Sequence, residues 1–253
     1  MIDRNNLDRH IIVKKQNEVT NIFPVDSKNY GSEEVIFHAV GTSVYDSVLK
    51  QNNLMLEGLT DKEIIRLFNE FNKKNGKNFI DFNKVGLCYA YGVNKILPQV
   101  LLTSDSAINY LVVVDSDHEG LNEKKKLQVA FPEKSDMVFD FKTIIGSDKS
   151  TFTVEDILPT EWILEILNKH LESVVVFPSK LFLISGVKRD AGIIDSWNAF
   201  VSANYSAHRD KLKFGYKEKI PSFIRNRFKN GDVTDSDLEN FNKLISFVKS
   251  KIN

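Results

Sequence analysis

A short acidic motif follows the apolar run Leu54–Leu56. Glu57 ends that run, Gly58 permits a tight turn, and Asp61 comes where a polar, helix-like stretch begins. An acid at the end of a strand and a second acid in the next helical turn can direct both carboxylates toward one point. Paired carboxylates with this placement are typical of sites that bind hard cations.

A second acidic motif follows another apolar run, Tyr110–Val114. The run ends in Asp115-Ser116-Asp117. Residues two apart in an extended chain project to the same side, so Asp115 and Asp117 can converge.

The two motifs become one site if their runs are neighbouring strands of a parallel sheet. Ligands of such sheets bind at the carboxyl ends of the strands, where all four acids would then meet. Their mutual repulsion would be relieved by Mg²⁺ or Mn²⁺. Two such ions can clamp the attacking and leaving oxygens of a phosphodiester during its hydrolysis.

Each motif also has a purely structural explanation. Thr60 with Glu63 forms a capping-box pattern, and Asp61 would favour the start of a helix whether or not it binds a metal. Asp117 can be the N-cap of the helix that follows it.

Alternating strand and helix signals through the middle of the chain predict a mainly parallel sheet with helices on both faces. The signals fall at Leu54–Leu56, Asp61–Lys73, Val85–Tyr91, Asn94–Thr103, Tyr110–Val114, from His118 onward, and at Met137–Phe141.

The remainder of the chain is predicted to be mostly helical, with one further strand at Lys180–Ile184. The helix candidates are Val154–Leu171, Asp190–Asp210, Pro221–Lys229 and Asp235–Lys251. The opening residues suggest a β-pair, Ile11–Lys15 with Glu18–Pro24, and an amphipathic helix over Ser32–Lys50. We therefore expect three regions: 1–50, a catalytic α/β domain over 51–160, and a mostly helical region over 161–253.

Composition limits the function classes. The 253 residues are 42% hydrophobic, and 34 basic residues balance 34 acidic ones, so only local basic patches could attract a polyanion. The single cysteine, Cys88, lies in an apolar run and excludes an internal disulfide. No signal peptide or membrane span is evident, and we expect a cytoplasmic protein without membrane partners.

Four segments resemble a known family. Leu56–Asp61 resembles the glutamate motif of Toprim domains, Asp115–Gly120 their aspartate-x-aspartate motif, and Val85–Gly92 the central strand and glycine turn of that fold. Thr153–Pro159 is similar to the segment that follows Toprim in nucleases of the OLD (overcoming lysogenization defect) family. Ile2–Leu7 resembles the end of that family's ABC-type ATPase region, which suggests a C-terminal fragment.

The resemblance implies a Toprim-like Rossmannoid domain that binds two Mg²⁺ or Mn²⁺ ions. Glu57, Asp61, Asp115 and Asp117 would bind them. Asp81 matches a further acidic ligand of the family, although a turn residue explains it equally well.

The family also uses a lysine to stabilise charge on the phosphate. Lys149 and Lys188 are the candidates, and either can instead be a solvated surface lysine.

Weaker candidates surround these motifs. Glu155 and Asp156 could add acids to the site, although Thr153 with Asp156 is also a capping pattern. His118 and Glu119 lack the spacing of a zinc site. The basic and aromatic stretch Lys211–Lys229 either follows a phosphate backbone or forms ordinary amphipathic helices.

By this resemblance the chain is expected to be a DNA endonuclease of phage defence or DNA processing, with RNA not excluded as a substrate. An ABC-type ATPase region or subunit is the expected partner, and a homodimer is a further possibility. Since the sequence has no Gly-x-x-x-x-Gly-Lys-Ser/Thr motif, we predict no ATPase activity. The alternative is a Toprim-like module that binds nucleic acid or an ATPase without cutting.

Overall fold

The computed structural model describes residues 11–16, 19–24, 50–102 and 108–252. Strands β1 (Ile11–Gln16) and β2 (Val19–Pro24) pair antiparallel, as predicted. They belong to one compact unit, and residues Lys50–Asn253 form a second. The helix expected over Ser32–Lys50 lies outside the described residues, apart from its last one.

The second unit contains a four-stranded parallel sheet in the order β4-β3-β5-β6. Its strands are β3 (Asn52–Leu56), β4 (Val85–Tyr89), β5 (Asn109–Val114) and β6 (Val138–Asp140). This confirms the prediction of a Rossmann-like α/β fold.

Nine α-helices are described in this unit. They are α1 (Leu59–Lys74), α2 (Ile96–Leu102), α3 (His118–Ala130), α4 (Phe141–Ile145), α5 (Thr160–Val174), α6 (Ile193–Asn204), α7 (Arg209–Phe214), α8 (Ile220–Asn230) and α9 (Glu239–Ile252). Short 3₁₀ turns connect several of them.

The strand order creates a switch point between β3 and β5. The chain leaves β3 toward β4 on one side and leaves β5 toward β6 on the other. Connections that diverge in this way open a crevice at the carboxyl ends of the two strands, which is where ligands of such sheets bind. Both acidic motifs follow these strands, so the topology brings them to one crevice.

Helices cover both faces of the sheet. Helices α1 and α9 contact β3, while α3 contacts β5 and β6 and packs against α2. Because both faces are covered, the inner parts of β3 and β5, Leu54–Leu56 and Tyr110–Val114, are continuous apolar runs. Leu54, Leu56 and Val113 are fully buried on the face that packs against the C-terminal helices.

The helical C-terminal region shares this core. One continuous apolar cluster runs from Leu54 in β3 through Trp162 and Trp197 to Leu244 in α9. The boundary expected near residue 160 therefore does not separate two compact units.

The predicted strand Lys180–Ile184 is wrong. This segment is irregular and ends in a 3₁₀ turn, Ile184–Gly186. The Phe182 N–H donates to Asn168 Oδ1 at 2.8 Å, and Asn168 Nδ2 donates to the Phe182 carbonyl, also at 2.8 Å. A side-chain amide of α5 thus satisfies the backbone groups that a neighbouring strand would otherwise pair.

The segment Val85–Gly92 also differs from expectation. Its strand, β4, is an edge strand of the four described rather than a central one. It ends at Tyr89, because the backbone turns into left-handed conformations at Tyr91 and Gly92.

None of the helices in the described residues is long and apolar enough to span a lipid bilayer. Cys88 is buried, as expected.

The shared core predicts that α9 stabilises the sheet. Leu244→Ala should lower the free energy of unfolding by about 2–5 kcal/mol, because it empties a fully packed site. The neighbouring Lys243→Ala removes only an exposed ion pair with Glu239 and should cost less than about 1 kcal/mol. Urea unfolding followed by circular dichroism measures both. Equal, small effects would mean that α9 is not part of the core.

Candidate active site at the switch point

The first acidic motif forms a tight turn between β3 and α1. Gly58 is the N-cap of α1, and its N–H donates to Asp61 Oδ2 at 2.9 Å. Asp61 is only 5% exposed although it lies in the first helical turn. The turn therefore holds one carboxylate inside the protein, directly beside Glu57.

The capping pair expected from Thr60 and Glu63 does not form. Asp61 caps the helix instead, and Glu63 accepts hydrogen bonds from Arg66 and Arg225. The helix begins two residues earlier than predicted, which shifts the capping position from Thr60 to Gly58.

Backbone N–H groups hold the second acidic motif in place. Asp115 accepts from the Val154 N–H at 3.1 Å, and Asp117 accepts from the Gly120 N–H at 2.8 Å as the N-cap of α3. The capping explanation of Asp117 is thus correct. It does not remove Asp117 from the site, because its charge acts on Glu57.

Ser116 fixes the loop between these two acids. Its hydroxyl donates to Asp140 Oδ1 at 2.8 Å, and its N–H donates to the Phe152 carbonyl at 2.8 Å. Asp140 also binds Lys124, in an ion pair of 2.7 Å. Burial raises the pKa of Asp140, but the hydrogen bonds from Lys124, Thr143 and Ser116 outweigh it and hold that pKa at about 2. Asp140 is therefore an ionised anchor for the loop.

Four acidic side chains interact in the crevice: Glu57, Asp61, Asp115 and Glu155. Burial, followed by the charges of Asp61 and Asp117, raises the pKa of Glu57 to about 7. Burial and then the charge of Glu155 raise that of Asp61. Burial and then the charges of Asp61 and Glu155 raise the pKa of Asp115 well above its usual range. The cluster is therefore short of positive charge.

Lys217 is the cation that faces this cluster. Its Nζ lies 3.5 Å from Glu155 Oε1. The charge of Glu155, opposed by burial and supported by Asp61 and Asp115, raises the pKa of Lys217. The preceding residue, Tyr216, is buried, and burial and then the charge of Glu155 raise the pKa of its phenol.

Sequence reasoning missed Lys217 as a site residue. It lies in a 3₁₀ turn, Lys217–Lys219. This turn is part of the basic stretch Lys211–Lys229, which the sequence suggested either as a contact to a phosphate backbone or as ordinary amphipathic helices. Nothing in its spacing separates it from neighbouring lysines. Glu155 was a weak candidate, and the structure brings it to the centre of the cluster, at 1% exposure.

Glu57 Oε2 is a buried oxygen in the crevice without a hydrogen-bond partner, while the buried Glu155 Oε1 faces the Lys217 ammonium at 3.5 Å. Orphaned carboxylate oxygens in an acid-rich crevice fit the oxygen ligands that Mg²⁺ and Mn²⁺ prefer. Within the described ranges, however, no set of three or more acidic, histidine or cysteine side chains is already arranged to hold a metal ion. Rotation of carboxylate side chains would have to complete the coordination.

The remaining acidic and histidine candidates are not among the four acids named above, although the charge of Glu119 also acts on Glu57. Asp81 precedes β4 and so lies at the amino ends of the parallel strands, whereas the cluster lies at their carboxyl ends. Its carboxylate accepts from the Asn83 N–H at 3.1 Å in a turn. The structure does not bring it to the cluster, which agrees with the turn explanation. His118 and Glu119 are both exposed on the first turn of α3.

The two predicted lysines are likewise outside the cluster. Lys149 forms a 2.7 Å ion pair with Asp156, whose carboxylate also accepts from the Thr153 N–H, as the capping pattern predicts. Lys188 is exposed, and its backbone N–H donates to Ser196 Oγ.

Comparisons of the chain with protein-family models, with curated proteins and with solved structures found no match.

Gly120 is required for the close packing of the second motif. A Cβ at this position would lie 2.1 Å from the Asp115 carbonyl oxygen. Gly120→Ala should therefore lower the free energy of unfolding by about 1–3 kcal/mol. Gly58→Ala is the matched control, because its Cβ would meet nothing closer than Asp61 Oδ2 at 3.4 Å. Thermal unfolding in EDTA compares the two variants, and equal stability would show that α3 does not approach Asp115 in this way.

Proposed function

We propose that this chain is a divalent-metal-dependent nuclease that hydrolyses phosphodiester bonds. The observation that supports it is the gathering of Glu57, Asp61, Asp115 and Glu155 at the switch point, opposite the ammonium group of Lys217. Acid-rich crevices at this position in an α/β sheet suit phosphate chemistry when divalent cations neutralise them. The resemblance of both acidic motifs to Toprim motifs leads to the same proposal.

Five carboxylates would hold the ions. Glu57, Asp61, Asp115 and Asp117 are those implied by the resemblance, and Glu155 is added because it is buried and its charge acts on Asp61 and Asp115. When bound, Mg²⁺ or Mn²⁺ would polarise the phosphate and lower the pKa of a water nucleophile. Each of Asp61, Asp115 and Asp117 accepts a hydrogen bond from a backbone N–H group, which would orient its carboxylate as a ligand.

Lys217 is our choice for the cation that stabilises charge on the phosphate. Its ammonium is the one that acts on Glu57, Asp61 and Asp115 together. A lysine supplies a compact point charge that suits a phosphate oxygen. We propose a supporting role for Lys149 through its ion pair with Asp156, and Lys188 remains an alternative on the surface.

The polymer and the partners are proposed from the resemblance. DNA is the favoured substrate and RNA the alternative, in phage defence or DNA processing, with an ABC-type ATPase as partner or upstream region and a homodimer as a possible assembly. A cytoplasmic location agrees with this role.

A second candidate is a module that binds nucleic acid or an ATPase without cutting. Among the described residues, no three acidic, histidine or cysteine side chains are already arranged to hold a metal ion, which favours this candidate. The raised pKa of Glu57 also favours it, because that carboxyl group then tends to be neutral in the absence of a cation. Cation binding and cleavage are the properties that separate the two functions.

Cation binding should stabilise the fold by relieving carboxylate repulsion. At a Mn²⁺ concentration of 100 times its Kd, the free energy of unfolding should rise by about 2.7 kcal/mol. Glu57→Gln should remove most of that gain while unfolding no earlier than wild type in EDTA, because it also removes a repelling charge. Glu63→Gln, in the helix that follows Glu57 and paired with Arg66, should keep the wild-type gain. Differential scanning calorimetry measures all three proteins, and equal gains in the two variants would exclude metal binding at Glu57.

Cleavage should depend on the cluster and on Lys217. With supercoiled plasmid, and separately with RNA, wild type should cut in Mg²⁺ or Mn²⁺ and not in EDTA. Glu57→Gln should abolish cutting, and Lys217→Gln should lower the rate about 100-fold or more, as removal of a charge-stabilising donor does.

Lys188→Gln is the matched control for Lys217→Gln, since it removes an exposed lysine that is not among the charges acting most strongly on Glu57, Asp61 and Asp115. It should cut at the wild-type rate. A large loss in Lys188→Gln with normal cutting by Lys217→Gln would reverse our choice of lysine. A protein that binds Mn²⁺ but cuts neither polymer would support the non-cleaving module.

A further inference from the structure

Two tyrosines and a lysine form a platform at the edge of the sheet beside the crevice. Tyr89 ends β4, and Tyr91 follows two residues later, with the two ring centroids 4.5 Å apart. The Lys62 ammonium lies 5.1 Å from the Tyr89 ring centroid. We call Lys62, Tyr89 and Tyr91 the aromatic platform.

Tyr91 is held away from the core by the backbone. Its φ of 59° lies in the left-handed region that non-glycine residues rarely adopt, and 57% of the residue is exposed. On either side of it, the Ala90 N–H donates to the Leu56 carbonyl at 3.0 Å and the Gly92 N–H donates to the Glu57 carbonyl at 2.9 Å. An aromatic side chain in such a conformation, fixed at both ends and exposed, points to a role outside the core.

The same hydrogen bonds place the platform next to the acidic cluster. Because Gly92 binds the backbone of Glu57, Tyr91 lies about one strand spacing, ~5 Å, from the main chain of that acid. An aromatic face therefore lies beside the crevice in which the phosphate would bind.

We propose that the aromatic platform stacks on an unpaired base of a nucleic-acid strand whose phosphate lies at the acidic cluster. This inference rests on the proposed function for the identity of the polymer. Stacking of bases on exposed aromatic side chains is the usual way in which proteins bind single strands, and a nearby lysine adds attraction for the backbone. Bases inside a duplex are already stacked on both faces. The platform thus selects single-stranded or locally opened nucleic acid.

The test separates base stacking from attraction for the phosphates. Fluorescence anisotropy in Ca²⁺ and low salt, where the cation neutralises the acids that would repel the phosphate, compares binding of a labelled oligothymidylate with that of an abasic strand of equal length. Wild type should bind the oligothymidylate about 10-fold more tightly, in the range of one stacked base. Tyr91→Leu should lose this preference, whereas Tyr91→Phe should keep it because the ring remains.

Phe177→Leu is the matched control. Phe177 is also an exposed aromatic residue, at 93%, with a left-handed φ of 56°, and it lies in the loop after α5 rather than at the sheet edge. This variant should bind both strands as wild type does. A circular-dichroism melt of each variant confirms that it folds.

The outcomes are distinguishable from those for the proposed function, because the base preference is a ratio of two binding affinities and needs no cleavage. Absence of a base preference in wild type, or an unchanged preference in Tyr91→Leu, overturns the inference even if the protein cuts DNA. A preference that depends on the Tyr91 ring supports the inference even if neither polymer is cut.

Discussion

The candidate site of this molecule depends on the mutual repulsion of carboxylates that are buried where β3 and β5 end. Glu57, Asp61, Asp115 and Glu155 lose water on folding and face one another. Burial and mutual repulsion raise the pKa values of Glu57, Asp61 and Asp115, and Glu57 Oε2 has no hydrogen-bond partner. Lys217 alone does not balance them. Acids in such surroundings destabilise a fold unless they are protonated or neutralised by a bound cation. This constraint makes the crevice a candidate active site.

The order of the strands forms the crevice, and backbone N–H groups hold the acidic side chains in it. The divergence of the chain at β3 and β5 opens the edge of the sheet, and helices on both faces exclude water from the strands that lead to it. N–H groups of Gly58, Val154 and Gly120 then fix the acids. The C-terminal half completes the site, since Glu155, Tyr216 and Lys217 come from segments that pack on the same core as the sheet. The site therefore depends on the whole of the second compact unit.

Local signals predicted the fold of the sheet and the acidic motifs. The apolar runs at Leu54 and Tyr110 are strands because full burial needs unbroken apolar residues, and acids at their ends mark the edge where they leave the core. The alternation of strands and helices predicted a parallel sheet, whereas the neighbouring placement of β3 and β5 was only a condition of the predicted site and is given by the structure. The prediction of a strand at Lys180–Ile184 was wrong, because the apolar character of a segment does not show what its backbone binds. Here the Asn168 side chain forms hydrogen bonds with the N–H and the carbonyl of Phe182.

Contacts between distant segments could not be predicted. Lys217 comes 160 residues after Glu57, and only packing of the C-terminal helices brings it to the cluster. The position of Asp81 could not be predicted either, because it lies at the amino ends of the strands only if β4 runs parallel to β3.

Anomalous diffraction from crystals soaked in Mn²⁺ tests the central claim most directly, because it locates cations independently of any activity. We expect anomalous peaks in the switch-point crevice at about 2.0–2.3 Å from oxygens of Glu57 and Asp115. Fully soaked crystals without a peak in that crevice, or with Mn²⁺ bound only elsewhere, would contradict the account.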